Sequence, residues 1–121
     1  MKNLIAWFEI PARNIERAKT FYEAILEIEI NVVSFGDVKM GWFPRPEEGP
    51  TGSLVQHNAY TPSAEGTLIY FAAEDVQIPL SKVIDAGGKV LQEKTQISED
   101  YGYMALFTDT EGNRIALHSM K

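Results

Sequence analysis

The feature that most constrains this chain is that its two halves follow the same order of strand and helix patterns. Each half has an apolar strand, an amphipathic helix behind an Asn or Asp cap and three further strands, at a period of about 60 residues. The caps are Asn14 and Asp75. Two copies are too few for a solenoid, so the pattern predicts a single α+β domain built from two βαβββ modules.

The repeat extends to individual residues. Trp7 and Leu68 each lie seven residues before a cap. Gly52 in the first half corresponds to Gly112 in the second, and each glycine precedes a closing strand. The helix after Asp75 is expected to bury one face formed by Val76, Leu80, Val83 and Ile84. We therefore predict one domain over residues 1–121, with modules over about 1–60 and about 61–121.

Composition narrows the class of partner. The net charge of −6 disfavours phosphate backbones and anionic membranes, so we expect neither nucleic acid nor a membrane as partner. The chain has no cysteine, which excludes disulfides and thiolate metal sites and fits a cytoplasmic protein. No apolar segment approaches the length of a membrane span.

Several short segments carry a resemblance that spans nearly the whole chain. They are residues 8–11, 16–22, 74–76, 86–90 and 107–115, the last with the sequence FTDTEGNRI. In this order on a duplicated frame they resemble the vicinal oxygen chelate superfamily, which includes glyoxalase I, bleomycin-resistance proteins and extradiol dioxygenases, and most of all its glyoxalase-related branch. The resemblance implies an open, cup-like mixed sheet of eight strands with the helices outside, often in a homodimer. It also implies chemistry at a divalent metal inside the cup.

The residues at the superfamily's four metal-ligand positions depart from its pattern. The resemblance assigns these positions to Trp7, Gln56, Leu68 and Ala116. An indole N–H only donates, leucine and alanine offer no ligand atom, and a single amide oxygen does not make a site. A shift of one residue puts His57 in place of Gln56, which still supplies only one good ligand. We therefore expect no metal and no other cofactor at the superfamily position.

Strand alternation predicts which side chains line the cup, because every second residue of a strand faces the same side. Trp7 and Glu9 share one face of the first strand, and Leu68 and Tyr70 share a face in the second module. We predict an aromatic-walled ligand site formed by Trp7, Trp42, Gln56, Leu68, Tyr70 and Ala116. The alternative for Trp7 is that it only fills the core where a metal ligand is missing.

Glu9 and His118 are the candidate catalytic residues. A carboxylate on an apolar concave face is suited to act as a base, and the alternative is a salt bridge from Glu9 to Arg13, Arg114 or another basic residue. His118 lies on the closing strand, three residues from the end of the sequence. Its alternative is an exposed histidine or one at a dimer edge.

Functions of different classes fit these residues. The first is metal-independent binding of a small, partly aromatic, neutral or cationic molecule in the cup of a homodimer. The alternative is a glyoxalase-like lyase or isomerase that acts on a small carbonyl compound. In that reaction Glu9 would abstract a proton while Gln56, Tyr70 or His118 stabilises the oxyanion. A third is a partner or regulatory module in which the cup serves only as a dimer surface.

Overall fold

Each half of the chain forms one βαβββ module in the computed structural model, which describes residues 3–121. The first module consists of β1 (Trp7–Pro11), α1 (Ile15–Leu26), β2 (Asn31–Phe35), β3 (Val38–Trp42) and β4 (Thr51–Gln56). The second consists of β5 (Ile69–Ala72), α2 (Gln77–Leu80), α3 (Val83–Ala86), β6 (Lys89–Ser98), β7 (Gly102–Thr108) and β8 (Arg114–Ser119). The predicted α+β class and the two modules are confirmed.

The eight strands hydrogen-bond as two open, four-stranded mixed sheets of the same topology. The strand orders are β1-β4-β3-β2 and β5-β8-β7-β6, with a parallel first pair and antiparallel pairs after it. The edge strands β1 and β5 touch through their side chains, since the ring centroids of Phe8 and Phe71 are 5.9 Å apart. Helix α1 of the first module also packs against α2 and α3 of the second.

One hydrophobic core joins both modules. Helix α1 contributes the buried residues Ile15, Ala18, Phe21, Tyr22 and Ile25, as its periodicity predicts. Phe21 packs against Phe107 of the second module, with ring centroids 5.8 Å apart. The helix ends at Glu27, which takes the left-handed conformation with φ of 55°. No helix in residues 3–121 is long and apolar enough to cross a membrane.

The single helix predicted after Asp75 is wrong. The chain forms two four-residue helices, α2 and α3, and Ile84 is 69% exposed rather than buried. The N–H of Lys82 bonds the carbonyl of Pro79 only three residues back, so the turn tightens and α2 ends. Because the helical period does not continue through this break, the face predicted from it turns outward at Ile84. The N-cap residue of α2 is Val76 rather than the predicted Asp75, whose side chain accepts the N–H of Gln77 at 2.9 Å one residue earlier.

The turn at residues 109–112 attaches the second module to the start of α1. Glu111 Oε1 accepts the backbone N–H groups of Arg13 and Asn14 at 2.8 and 3.0 Å, and Oε2 accepts Arg17 Nε at 2.7 Å. Burial opposes ionisation of Glu111, but the bonds from Arg17 and the two backbone amides outweigh it and lower the pKa of the carboxyl. The predicted turn in the second module therefore also caps helix α1 of the first module.

Candidate ligand-binding cup

The two tryptophans meet above the central strand of the first sheet. Trp7 lies on β1 and Trp42 on β3, on either side of β4. Their ring centroids are 5.3 Å apart at an interplanar angle of 68°, so the rings lean over β4 from both sides. Trp42 is 38% exposed, whereas Ser53 beneath the pair is 0% exposed. We call this pair the tryptophan arch.

Strand register places Glu9, Ser53 and Trp42 in one row across the first sheet. Ser53 pairs with Glu9 on β1 and with Trp42 on β3. Its neighbour Leu54 belongs to the core that packs against α1, so Ser53 faces the opposite side. We call this side, turned away from α1, the cup face. Among the described residues, Ser53 Oγ is buried and has no hydrogen-bond partner.

The strand register also corrects which residue of the first module corresponds to Ala116 of the second. Gly49 and Gly112 both take left-handed conformations, with φ of 92° and 94°, so these two glycines correspond. Four residues after them lie Ser53 and Ala116, and each is buried on the cup face. The position assigned to Gln56 is therefore occupied by Ser53.

Gln56 does not line the cup, contrary to the prediction. It lies on the face of Leu54, and its Oε1 accepts the N–H of Ile15 at 2.7 Å, which caps helix α1. Gly52, which the sequence pattern aligned with Gly112, has another reason to be glycine. A Cβ there would lie 2.3 Å from the carbonyl oxygen of Phe8, its partner on the parallel strand β1, because the two strands approach closely at this point.

The second sheet contributes a smaller set of cup-face residues. Tyr70 pairs with Ala116, and Tyr70 is 51% exposed while Ala116 is fully buried. Leu68 lies just before β5 and is half-buried. Since Leu106 pairs with Ala116, it shares this face with them. Of the residues predicted to line the cup, Trp7, Trp42, Tyr70 and Ala116 lie on the cup faces of their strands, and Gln56 does not.

Glu9 is exposed on the cup face, two residues from Trp7. The Glu9 carboxylate lies close to the Tyr60 hydroxyl, and its attraction for the hydroxyl proton together with its charge raises the pKa of Tyr60. Within residues 3–121, neither Arg13 nor Arg114 forms an ion pair with Glu9. Glu9 and Arg114 line the same cleft of about 210 Å³ at the seam between the modules. Among the described residues, the Glu9 carboxylate thus lies near a phenol and has no arginine as ion-pair partner.

His118 is not brought together with Glu9. It lies on β8 in the other sheet, and its Nε2 is 2.6 Å from the carbonyl oxygen of Tyr101. A ring nitrogen facing a carbonyl must carry the proton and donate, so this nitrogen is already engaged. His57 lies at the end of β4, where its Nε2 is 3.3 Å from Asp37 Oδ2.

The residues present do not fit the superfamily's metal. No group of three or more His, Cys, Asp or Glu side chains that could hold an ion occurs in residues 3–121. With the register corrected, the four ligand positions are Trp7, Ser53, Leu68 and Ala116, whose only oxygen ligand is one hydroxyl. Divalent metals in proteins bind several carboxylate, imidazole or carbonyl groups, so this donor set offers too little.

Comparisons with known proteins agree with the fold. The sequence model of the Glyoxalase/Bleomycin resistance protein/Dioxygenase superfamily matches residues 4–117. A glyoxylase-like domain-containing protein from Didymella fabae is 28% identical over 117 residues, which cover 93% of this chain and 91% of that protein.

Two solved structures have the same arrangement of elements. A glyoxalase/bleomycin resistance protein from Albidiferax ferrireducens T118 has a TM-score of 0.74 at 20% identity, over 95% of this chain and 97% of the other. TnmS3, an antibiotic binding protein from Streptomyces sp. CB03234, has a TM-score of 0.73 at 20% identity, over 97% and 95%. At these identities the likeness concerns the fold.

Proposed function

The chain belongs to the Glyoxalase/Bleomycin resistance protein/Dioxygenase superfamily, and on that premise we propose that it is a metal-independent binding protein for a small, partly aromatic molecule. The ligand lies on the cup face, against the tryptophan arch and beside Glu9. The observation that carries the proposal is the arch itself. An exposed Trp42 in contact with Trp7 offers a large aromatic surface at the position where the superfamily holds a metal.

Charge indicates which ligands suit this surface. Glu9 is exposed on the cup face, and the chain has a net charge of −6. An anionic ligand is therefore repelled, while a neutral molecule is tolerated and a cation gains from the carboxylate and from the indole faces. TnmS3 is described as an antibiotic binding protein, which supports antibiotics as the first ligands to test.

Tryptophan fluorescence tests the proposal directly. The chain has two tryptophans, Trp7 and Trp42, and both form the arch, so any emission change reports on the cup. We expect saturable quenching when metal-free bleomycin, or another cationic aromatic antibiotic from a panel, is titrated in. Trp42→Ala should lose most of the affinity. Ile84→Ala, which truncates an exposed residue on α3, should bind like the wild type.

A panel that leaves the emission unchanged would contradict a binding function of this type. Binding that persists unchanged in Trp42→Ala would also contradict it, because the ligand would then lie elsewhere. Addition of zinc, nickel or manganese should neither be required for binding nor raise the melting temperature.

We also propose that the protein is a homodimer, with a second copy covering part of the cup face. The edge strand β2 presents Val33 and Phe35 on this face, 37% and 60% exposed, next to Met40 on β3. Exposed apolar side chains grouped in this way are typical of an interface. Sedimentation analysis should show a dimer, and Phe35→Asp should shift it to monomer. A monomer at 100 μM wild-type protein would refute this part.

A glyoxalase-like lyase or isomerase remains the second candidate, favoured by the exposed Glu9 with its Tyr60 contact. Fewer groups are available to donate a hydrogen bond to the oxyanion, however. Gln56 caps α1 and His118 bonds a backbone carbonyl, so Tyr70 is the predicted donor that is left. Turnover of the methylglyoxal–glutathione adduct that is lost in Glu9→Gln would establish it. Absence of turnover with and without added metal would count against it.

A further inference from the structure

The fold does not explain why a hydroxyl is buried at Ser53 on the cup face. Its side chain is 0% exposed, and Oγ has no hydrogen-bond partner among the described residues. Buried hydroxyls in folded proteins are nearly always paired, since an unpaired one has lost its water without compensation. Alanine, which stands at the corresponding position 116, would avoid this cost.

The surroundings of Ser53 indicate the side from which a hydrogen-bond partner could approach its hydroxyl. Ser53 lies between Glu9 and Trp42 in one row, and the rings of the tryptophan arch meet above this strand. A group that reaches Oγ must therefore come from the cup side, where the two rings lie. Trp42 is 38% exposed and therefore has space to change rotamer, whereas Trp7 is more buried.

We propose that Ser53 is the hydrogen-bonding point of the ligand site and that the arch opens to admit a neutral aromatic ring with a hydroxyl group on its edge. This inference rests on the proposed binding function and names the ligand class for the same site. The ring inserts between Trp7 and Trp42 and contacts both indoles, and its hydroxyl pairs with Ser53 Oγ. The neighbouring Glu9 carboxylate disfavours an acidic substituent at the same place.

A matched pair of probes tests the pairing. We would titrate 2-naphthol and naphthalene, which differ by one hydroxyl, and follow the indole N–H signals of Trp7 and Trp42 by NMR. The wild type should bind 2-naphthol at least tenfold more tightly than naphthalene. Ser53→Ala should bind both within twofold of each other. Ser34→Ala, an exposed serine on β2 on the other face of the sheet, should keep the wild-type ratio.

Thermal unfolding without ligand supplies a second readout. Removing an unpaired buried hydroxyl should raise the melting temperature of Ser53→Ala, although the same change removes binding selectivity. A lower melting temperature would mean that Oγ has a partner within the protein, and would overturn the inference.

Two binding outcomes also overturn it. A tenfold preference for 2-naphthol that survives in Ser53→Ala would place the hydroxyl elsewhere. Equal wild-type affinity for both probes, with the indole signals shifted, would leave the binding function standing but remove the role of Ser53. If neither probe moves the indole signals, this ligand class is wrong, and the bleomycin titration decides the proposed function separately.

Discussion

Removing the Glu111 carboxylate should loosen the attachment between the modules by a measurable amount. In Glu111→Ala, the amides of residues 13 and 14 lose their acceptor and Arg17 loses its partner. A lost helix cap costs about 1 kcal/mol, and a lost bond to a charged group costs about 1.5–3 kcal/mol. Since Arg17 is half exposed, its share is discounted for solvent. We expect a total loss of about 2–3 kcal/mol in the free energy of unfolding.

Glu111→Gln separates charge from geometry. The glutamine keeps a carbonyl oxygen for the two amides and loses the charge that holds Arg17, so we expect a loss of about 1 kcal/mol. For a chain of 121 residues, each kcal/mol corresponds to about 4 °C in melting temperature. Urea unfolding followed by circular dichroism measures both variants. Glu99→Ala, which removes an exposed carboxylate before β7, should stay within about 0.5 kcal/mol of the wild type.

The pH dependence of this difference has a definite sign. The folded pKa of Glu111 is lowered, so the folded state binds fewer protons there than the unfolded state, whose pKa is about 4.3. The stability that Glu111 adds is therefore complete above that value and is lost as the pH falls through the folded pKa. Wild type and Glu111→Gln should differ fully at pH 7 and converge in acid. A difference that grows below pH 4, or a Glu111→Ala variant as stable as Glu99→Ala, would refute the reasoning.

Two further substitutions test the packing beneath the cup. Tyr22→Phe removes a buried hydroxyl that donates to Asp109 Oδ2 at 2.6 Å, so chemical denaturation should show a loss of about 1–2 kcal/mol. Gly52→Ala forces a Cβ to within 2.3 Å of the Phe8 carbonyl oxygen and should cost more than about 3 kcal/mol or prevent folding. Gly36→Ala, at φ of 64° with open space around it, should cost about 1 kcal/mol, and equal losses at the two glycines would contradict the close approach of β1 to β4.

Local patterns in the sequence were sufficient for the order of elements but not for their exact register. The apolar spacing after Asn14 predicted α1 closely, because one buried face of a helix leaves a clear period. The prediction failed at Gln56 because it was aligned through Gly52 rather than through the glycine with positive φ. A better signal was present: Glu48-Gly49 repeats Glu111-Gly112. That dipeptide sets the register of the strand that follows.

Contacts between distant residues lay beyond the sequence patterns. Nothing local distinguishes Glu111 as the acceptor for amides 97 and 98 residues away. The contact between Trp7 and Trp42 likewise depends on β4 pairing between their strands, although strand alternation did place both on the cup face. The proximity of Glu9 to Tyr60 was not predicted, because Tyr60 lies in an irregular segment that has no periodic pattern.

The way in which α1 is capped determines which substitutions the fold can tolerate. Its first amides are held by Gln56 from the last strand of one module and by Glu111 from the last turn of the other, all on the side away from the cup. The bonds that assemble the two modules therefore do not pass through the ligand-facing side chains. Residues such as Trp7, Ser53 and Tyr70 can be exchanged for others without dismantling the scaffold. The same architecture can thus give up a metal centre and acquire a new specificity while it keeps its means of assembly.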